Sequence, residues 1–172
     1  MPSSASTAPR TSDGSTTPTR ATPTAYKVPS GRAYRVQESF SGQVVGVHDG
    51  DTIRVMRDGK AVKVWLYGID APEEKQAFGS VATHFTSGMA FQKTVTVLVH
   101  DTDRYGRLVG EVLLPGGHSL NESMVRSGVA WWYQHFAPKD TLLQQLEHDA
   151  RTASRGLWSD PHATPPWKFR KP

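Results

Sequence analysis

The chain contains no cysteine, which excludes disulfide frameworks, thiolate metal centres and cysteine nucleophiles. No apolar run is long enough to cross a bilayer as a helix, so no membrane partner is expected. The seven histidines show no HxxxH or similar spacing, and no zinc site is read. Residues 1–36 are rich in Ser, Thr and Pro and have little to bury, with one acid against five Lys/Arg. Such composition cannot offset its ordering entropy, so a disordered tail is expected over 1–36. It shows no apolar h-region of a secretory signal, although an Arg-bearing, acid-poor composition is also compatible with an organellar transit peptide. Residues 161–172, basic and Pro-rich, read as a second tail.

Acidic charge is scarce at the ends and not in the middle. The net charge is +4, but residues 37–160 hold twelve basic and fifteen acidic side chains, a net of −3. The basic character lives in the tails, and bulk charge is a poor argument for a nucleic-acid partner. With 172 residues and 37% hydrophobic content, the chain supports one domain with a real core, placed at 37–160.

Within that domain, short alternating runs at 43–47, 52–57 and 61–68 predict a three-stranded meander, its second turn at Asp58-Gly59. Phe78, Val81, Phe85 and Met89 fall at helical spacing, which predicts a helix over 74–91. Strands at 94–100 and 108–114 follow. Ser119-Leu120-Asn121-Glu122 has the form of a capping box, and Asp140 caps a third helix with Leu142, Leu146, Ala150 and Ala153 as its apolar stripe. Five strands with a helix between the third and fourth predict an α+β fold: a five-stranded OB-fold Greek-key β-barrel with three packed helices.

Acids gather at the strand ends. Asp51 follows the first strand; Asp70 and Glu73 follow the third, in Gly68-Ile69-Asp70-Ala71-Pro72-Glu73. Carboxylates brought together repel one another unless a cation joins them, and oxygen donors of this kind suit hard cations such as calcium. Arg107 closes the polar loop Asp101–Arg107. Its planar guanidinium can bridge two phosphate oxygens and stabilise a pentacoordinate transition state. A surface Arg paired to Asp101 or Asp103 is the plainer reading of that residue.

His48-Asp49-Gly50-Asp51-Thr52, the Gly68–Glu73 stretch and Asp103-Arg104-Tyr105-Gly106-Arg107, in this order, resemble the three signatures of the staphylococcal-nuclease-like (thermonuclease) family. The resemblance implies that Asp51, Asp70 and the carbonyl of Ala71 bind Ca2+ while Asp49 shapes the turn. It implies that Glu73 activates or orients the attacking water, and that Arg107 stabilises the charge on phosphorus. Arg104 and Tyr105 match substrate-binding neighbours. Trp131–Phe136 matches a neighbourhood that contributes tyrosines; Gln134 and Phe136 stand at those positions, with Tyr133 adjacent. Core packing is expected for at least two of these aromatics. Trp65 departs from the pattern, standing where the family has an arginine that binds the reacting phosphate. Lys63, two residues earlier on the same strand face, is the candidate partial substitute.

The expectation is a calcium-dependent, sequence-nonspecific nuclease acting on DNA and RNA, single strands preferred, as a monomer. Tolerance of either sugar comes from the resemblance alone. An extracellular or cell-envelope location is favoured only by the resemblance, with no signal peptide visible. The rival is a catalytically weak or silent nucleic-acid- or protein-binding module on the same fold, because of Trp65.

Overall fold

The computed structural model describes residues 24–27 and 30–172. In chain order the elements are β1 (Thr24–Lys27), β2 (Ala33–Val36), β3 (Glu38–Asp49), β4 (Thr52–Arg57), β5 (Lys60–Leu66), β6 (Ile69–Asp70) and α1 (Gly79–Ala90). They continue with β7 (Thr94–Thr102), β8 (Leu108–Leu113), α2 (Leu120–Arg126), β9 (Trp131–Trp132), α3 (Thr141–Thr152), a 3₁₀ turn at Gly156–Ser159 and α4 (Pro166–Phe169).

β3, β4, β5, β8 and β7 close into a barrel in that order. Neighbours run antiparallel except β5 and β8, which pair in parallel with Trp65 beside Val109. The α+β OB-type barrel anticipated above is therefore present. Alternation fills it: Val44, Ile53, Val55, Val64, Leu66, Val97 and Val112 are fully buried. Each such side chain contributes about 1.5–3 kcal/mol by leaving water. The β4–β5 turn takes left-handed backbone at Asp58 (φ 49°) and Gly59 (φ 77°), as a tight hairpin requires. The Ser119 and Asp140 side chains accept the Glu122 and Leu143 N–H groups at the starts of α2 and α3.

Three expectations need correction. The helix expected from residue 74 begins only at Gly79. Two successive turns precede it, Gln76 N–H to the Glu73 carbonyl and Gly79 N–H to the Gln76 carbonyl, and Phe78 is left-handed at φ 66°. Its buried face is Gly79, Ala82, Thr86 and Ala90, while Val81 is exposed. Ala82 and Thr86 lie against the backbone of Gly50 in the Asp49–Thr52 turn, which leaves no room for larger side chains there.

The tail expected over 1–36 falls outside the described residues at 1–23 and 28–29, but its last part is built into the fold. β1 and β2 pair, and Tyr34 and Val36 are buried with Leu98 and Leu113 on the outer side of the barrel. β7 is thus covered on both faces: Val95, Val97 and Val99 point inward and Leu98 outward, so 97–99 are buried consecutively. The stretch 161–172 is likewise no plain tail. Pro166 is buried, and the Trp167 ring stacks on Tyr133 at 5.3 Å.

Candidate active site

The Asp49–Thr52 turn is held by its own side chains. Asp51 N–H donates to Asp49 Oδ1 at 3.3 Å, and the Thr86 hydroxyl of α1 donates to the Gly50 carbonyl at 2.5 Å. Position 50 must be glycine for a steric reason: a Cβ there would press on the Ala71 and Ala82 methyls. The turn is also tied to the second acidic segment. Ala71 N–H donates to Asp51 Oδ2 at 2.7 Å, and Leu66 N–H to the Asp51 carbonyl at 2.9 Å. β6 pairs with β9, setting Asp70 opposite Trp131.

Asp51 and Asp70 are both buried. Burial, then the negative charges of Asp49 and Asp70, push the Asp51 pKa well above the usual carboxylate range. Burial also raises Asp70, against the opposing pull of hydrogen bonds from Arg170. Glu73 is half-buried, its N–H bonded to Gln76 Oε1 at 3.1 Å. A Cβ at residue 79 would overlap the Glu73 carbonyl, so glycine is what lets α1 start against this loop.

Arg107 comes from the β7–β8 loop. Its Nε donates to Asp103 Oδ2 at 2.6 Å, and its guanidinium lies 5.4 Å from the centre of the Trp65 ring. Among the described residues only that Nε of the side chain is hydrogen-bonded, so the terminal nitrogens remain to serve the cavity. Pairing with Asp103 is therefore compatible with a phosphate role. Asp103 also accepts from the N–H groups of Tyr105 and Arg107, each at 2.9 Å, which closes the loop.

Asp51, Asp70, Ala71, Glu73, Arg107, Arg104, Tyr105, Tyr133 and Trp65 all line one cavity of about 1020 Å³. Lys63 does not line it. It shares the outward face of β5 with Trp65 and is exposed, but two residues along a strand carry it about 7 Å away. The aromatic run divides: Trp131 and Trp132 are buried, with the Trp132 indole N–H donating to the Ala137 carbonyl at 2.9 Å, while Tyr133 and Phe136 face the cavity. Trp65 meets both edge-on, at 6.4 and 5.1 Å.

One charged cavity residue was not anticipated. Arg170 donates to both oxygens of Asp70, at 3.0 and 2.6 Å, and to Glu73 Oε1 at 2.6 Å. The signal available in the sequence was Pro165-Pro166-Trp167: proline at the first helical position with aromatics after it does not read as a solvated tail.

As the side chains stand, no group of three or more His, Cys, Asp or Glu among the described residues is placed to hold a metal ion. The donor chemistry still suits a hard divalent cation: all oxygen, two of the acids buried, and negative charge in excess. A cation already answers part of that excess, since the Arg170 guanidinium grips Asp70 as a fork.

The comparisons with known proteins give the family. The profile of the family described as Staphylococcal nuclease homologue matches residues 63–160. An uncharacterized endonuclease of Escherichia coli O157:H7 is 47% identical over 129 residues, 75% of this chain and 84% of that protein. A micrococcal nuclease of Shigella flexneri is 42% identical over 141 residues, covering 77% and 81%. The Staphylococcal-like nuclease CAN1 of Arabidopsis thaliana is 37% identical over 112 residues, 65% of this chain and 34% of that protein. With its barrel, its acids at the strand ends and these relatives, the chain belongs to the staphylococcal nuclease homologue family.

Proposed function

We propose that the protein is a calcium-dependent nuclease that hydrolyses phosphodiester bonds of DNA and RNA with little sequence preference. The observation that supports this most is the convergence of Asp51, Asp70, Glu73 and Arg107 on one cavity. Asp51, Asp70 and the Ala71 carbonyl would hold the ion. A bound calcium supplies neutralisation of the phosphate charge, which lets an anionic or polarised nucleophile approach.

The chain's own residues supply the rest. Glu73 takes a proton from the attacking water as its oxygen bonds to phosphorus in line with the departing ester oxygen. That P–O bond breaks, and the leaving oxygen takes a proton from solvent. Arg107, its fork aimed by Asp103, carries the charge that grows on the equatorial oxygens. The cavity wall favours unpaired bases. Tyr105 is 70% exposed and Phe136 47% exposed, and stacking on such rings is worth roughly 1–3 kcal/mol per base. Stable duplex cannot offer its bases this way, so single strands are the preferred substrate, and the chain acts as a monomer.

The test is incubation of single-stranded DNA, its GC-rich duplex and RNA with the purified protein, in calcium or in excess chelator. Hydrolysis in calcium alone, fastest on single strands, is expected. Full activity in chelator would overturn the metal assignment. Tight binding of nucleic acid without cleavage under any condition would favour the silent binding module.

A further inference from the structure

The C-terminal segment is fastened to the site at three levels. The Gln76 amide donates to the Thr164 carbonyl, so the residue that supports the Glu73 backbone also seats the strap. Trp167 stacks on Tyr133 at 5.3 Å and meets Trp131 edge-on at 5.6 Å. α4 then ends, and Arg170 at its C-cap enters the cavity to hold Asp70 and Glu73. A guanidinium delivered by this much packing is not a stray surface charge.

Position 65 explains what it is for. Trp65 offers the cavity a neutral ring, already faced by Arg107, and its single N–H cannot fork across a phosphate. The cavity therefore has two arginines from the β7–β8 loop, Arg104 and Arg107, and a third, Arg170, from outside the barrel. Arg170 and a divalent cation are also rivals for Asp70. Both carboxylate oxygens accept from Arg170, so an ion that takes those same lone pairs of Asp70 displaces the guanidinium. Once free of Asp70, with its base still anchored through Trp167, the guanidinium stays beside the ion.

We propose that Arg170 is a catalytic residue of this nuclease: it exchanges places with the divalent cation on Asp70 and then binds the scissile phosphate, in the role that Trp65 cannot fill. The proposal rests on the nuclease reading above. It makes two predictions of opposite sign. Losing Arg170 removes the cation's competitor, so calcium binds more tightly; it also removes a phosphate ligand, so turnover falls.

The experiment is calorimetric titration of calcium alone into the full chain, as wild type, Arg170→Gln and Arg170→Lys, with hydrolysis of single-stranded DNA at saturating calcium measured beside it. Arg170→Gln should bind calcium about tenfold tighter or more, the equivalent of one charge-assisted hydrogen bond no longer broken. Its kcat should drop by about 10²-fold, as for loss of a comparable donor. Arg170→Lys keeps a charge without the fork and should move both quantities in the same directions by less; it also serves if Arg170→Gln folds poorly. Calcium affinity equal to or weaker than wild type in both variants overturns the proposal and leaves the nuclease reading standing, as does undiminished kcat. Absence of calcium binding and of hydrolysis in every form overturns both.

Discussion

Asp103 and Arg107 form a closed unit, the arginine Nε donating to one carboxylate oxygen at 2.6 Å while its own N–H donates to the other at 2.9 Å. Burial pulls the Asp103 pKa upward, but the bonds from Arg107 and the loop N–H groups outweigh it and hold the carboxyl below its ordinary value. A single aspartate thus shapes the loop and aims the fork of the residue proposed to meet phosphate.

Asp103→Asn keeps the shape but loses the charge, and its amide cannot accept as strongly at both positions. We expect kcat on single-stranded DNA to fall by roughly ten- to a hundredfold, less than the 10²–10³ expected for Arg107→Gln. The loop is exposed, so the melting temperature should hardly change. A double variant no worse than Arg107→Gln alone would show that Asp103 acts through Arg107; fully additive losses would count against it.

Truncation tests the outer face of the barrel. Removing residues 1–36 uncovers Leu98 and Leu113 by stripping away Tyr34 and Val36. It also deletes the half-buried Arg32, paired with Asp140 and Glu122, and the Ser30 hydroxyl bonded to Glu122 at 3.0 Å. Two buried side chains at about 1.5–3 kcal/mol each imply a melting temperature lower by roughly 6–24 °C in a domain of this size. An unchanged melting temperature would show that β1 and β2 do not hold the barrel.

That segment also shows where the sequence stops being informative. The barrel strands and the Asp51, Asp70 and Glu73 positions were legible, because period-2 alternation and turn residues are local signals. Tyr34 and Val36 sit among Ser, Thr and Arg, and their apolar partners lie more than sixty residues away. The one local hint was the Val97-Leu98-Val99 run, too apolar for a strand with one wet face. The same holds for Arg170, 100 residues from Asp70: an ion pair at that separation leaves no periodicity. The α1 boundary was missed for another reason, since the Gln76 side chain and left-handed Phe78 build turns where spacing alone read helix.

Stability should respond to Glu111. The side chain is buried, and burial pushes its pKa up to about 7, against the pull of Arg32, of the hydrogen bond from Ser119 and of the neighbouring Tyr34 hydroxyl, with Glu122 adding to the rise. The folded chain therefore binds this proton more tightly than the unfolded chain. Its contribution is complete below about pH 4.5 and is lost as pH climbs through about 7, by at most about 3 kcal/mol. His100 works the other way: burial, then Arg32, lowers it to about 4, so stability falls as pH drops from 6.5 towards 4. The two partly cancel in wild type, so the comparison must be made with Glu111→Gln. In urea unfolding at pH 5 and pH 8, the variant should gain on wild type by roughly 2–3 kcal/mol at the higher pH. A difference that does not move with pH would mean that Glu111 stays charged in the fold.

The last prediction joins positions 65 and 170. Trp65 pairs with Thr52 on one side and Val109 on the other, and its side chain lines the cavity. An arginine built there points at the same space. It forfeits the edge contacts to Tyr133 and Phe136, about 0.5–1.5 kcal/mol each, and stands near Arg107, so Trp65→Arg should melt a few degrees lower. If Arg170 supplies the guanidinium that position 65 lacks, the value of Trp65→Arg depends on the background. In wild type the charge is already present and kcat should change by less than about threefold. In Arg170→Gln the same substitution should restore about tenfold or more of the lost turnover, a coupling of at least about 0.7 kcal/mol. Both backgrounds are measured with saturating calcium, so that the tighter ion binding of Arg170→Gln does not enter. Equal factors in the two backgrounds would mean that residues 65 and 170 act on different steps, and that the strap arginine does not replace the one missing from β5.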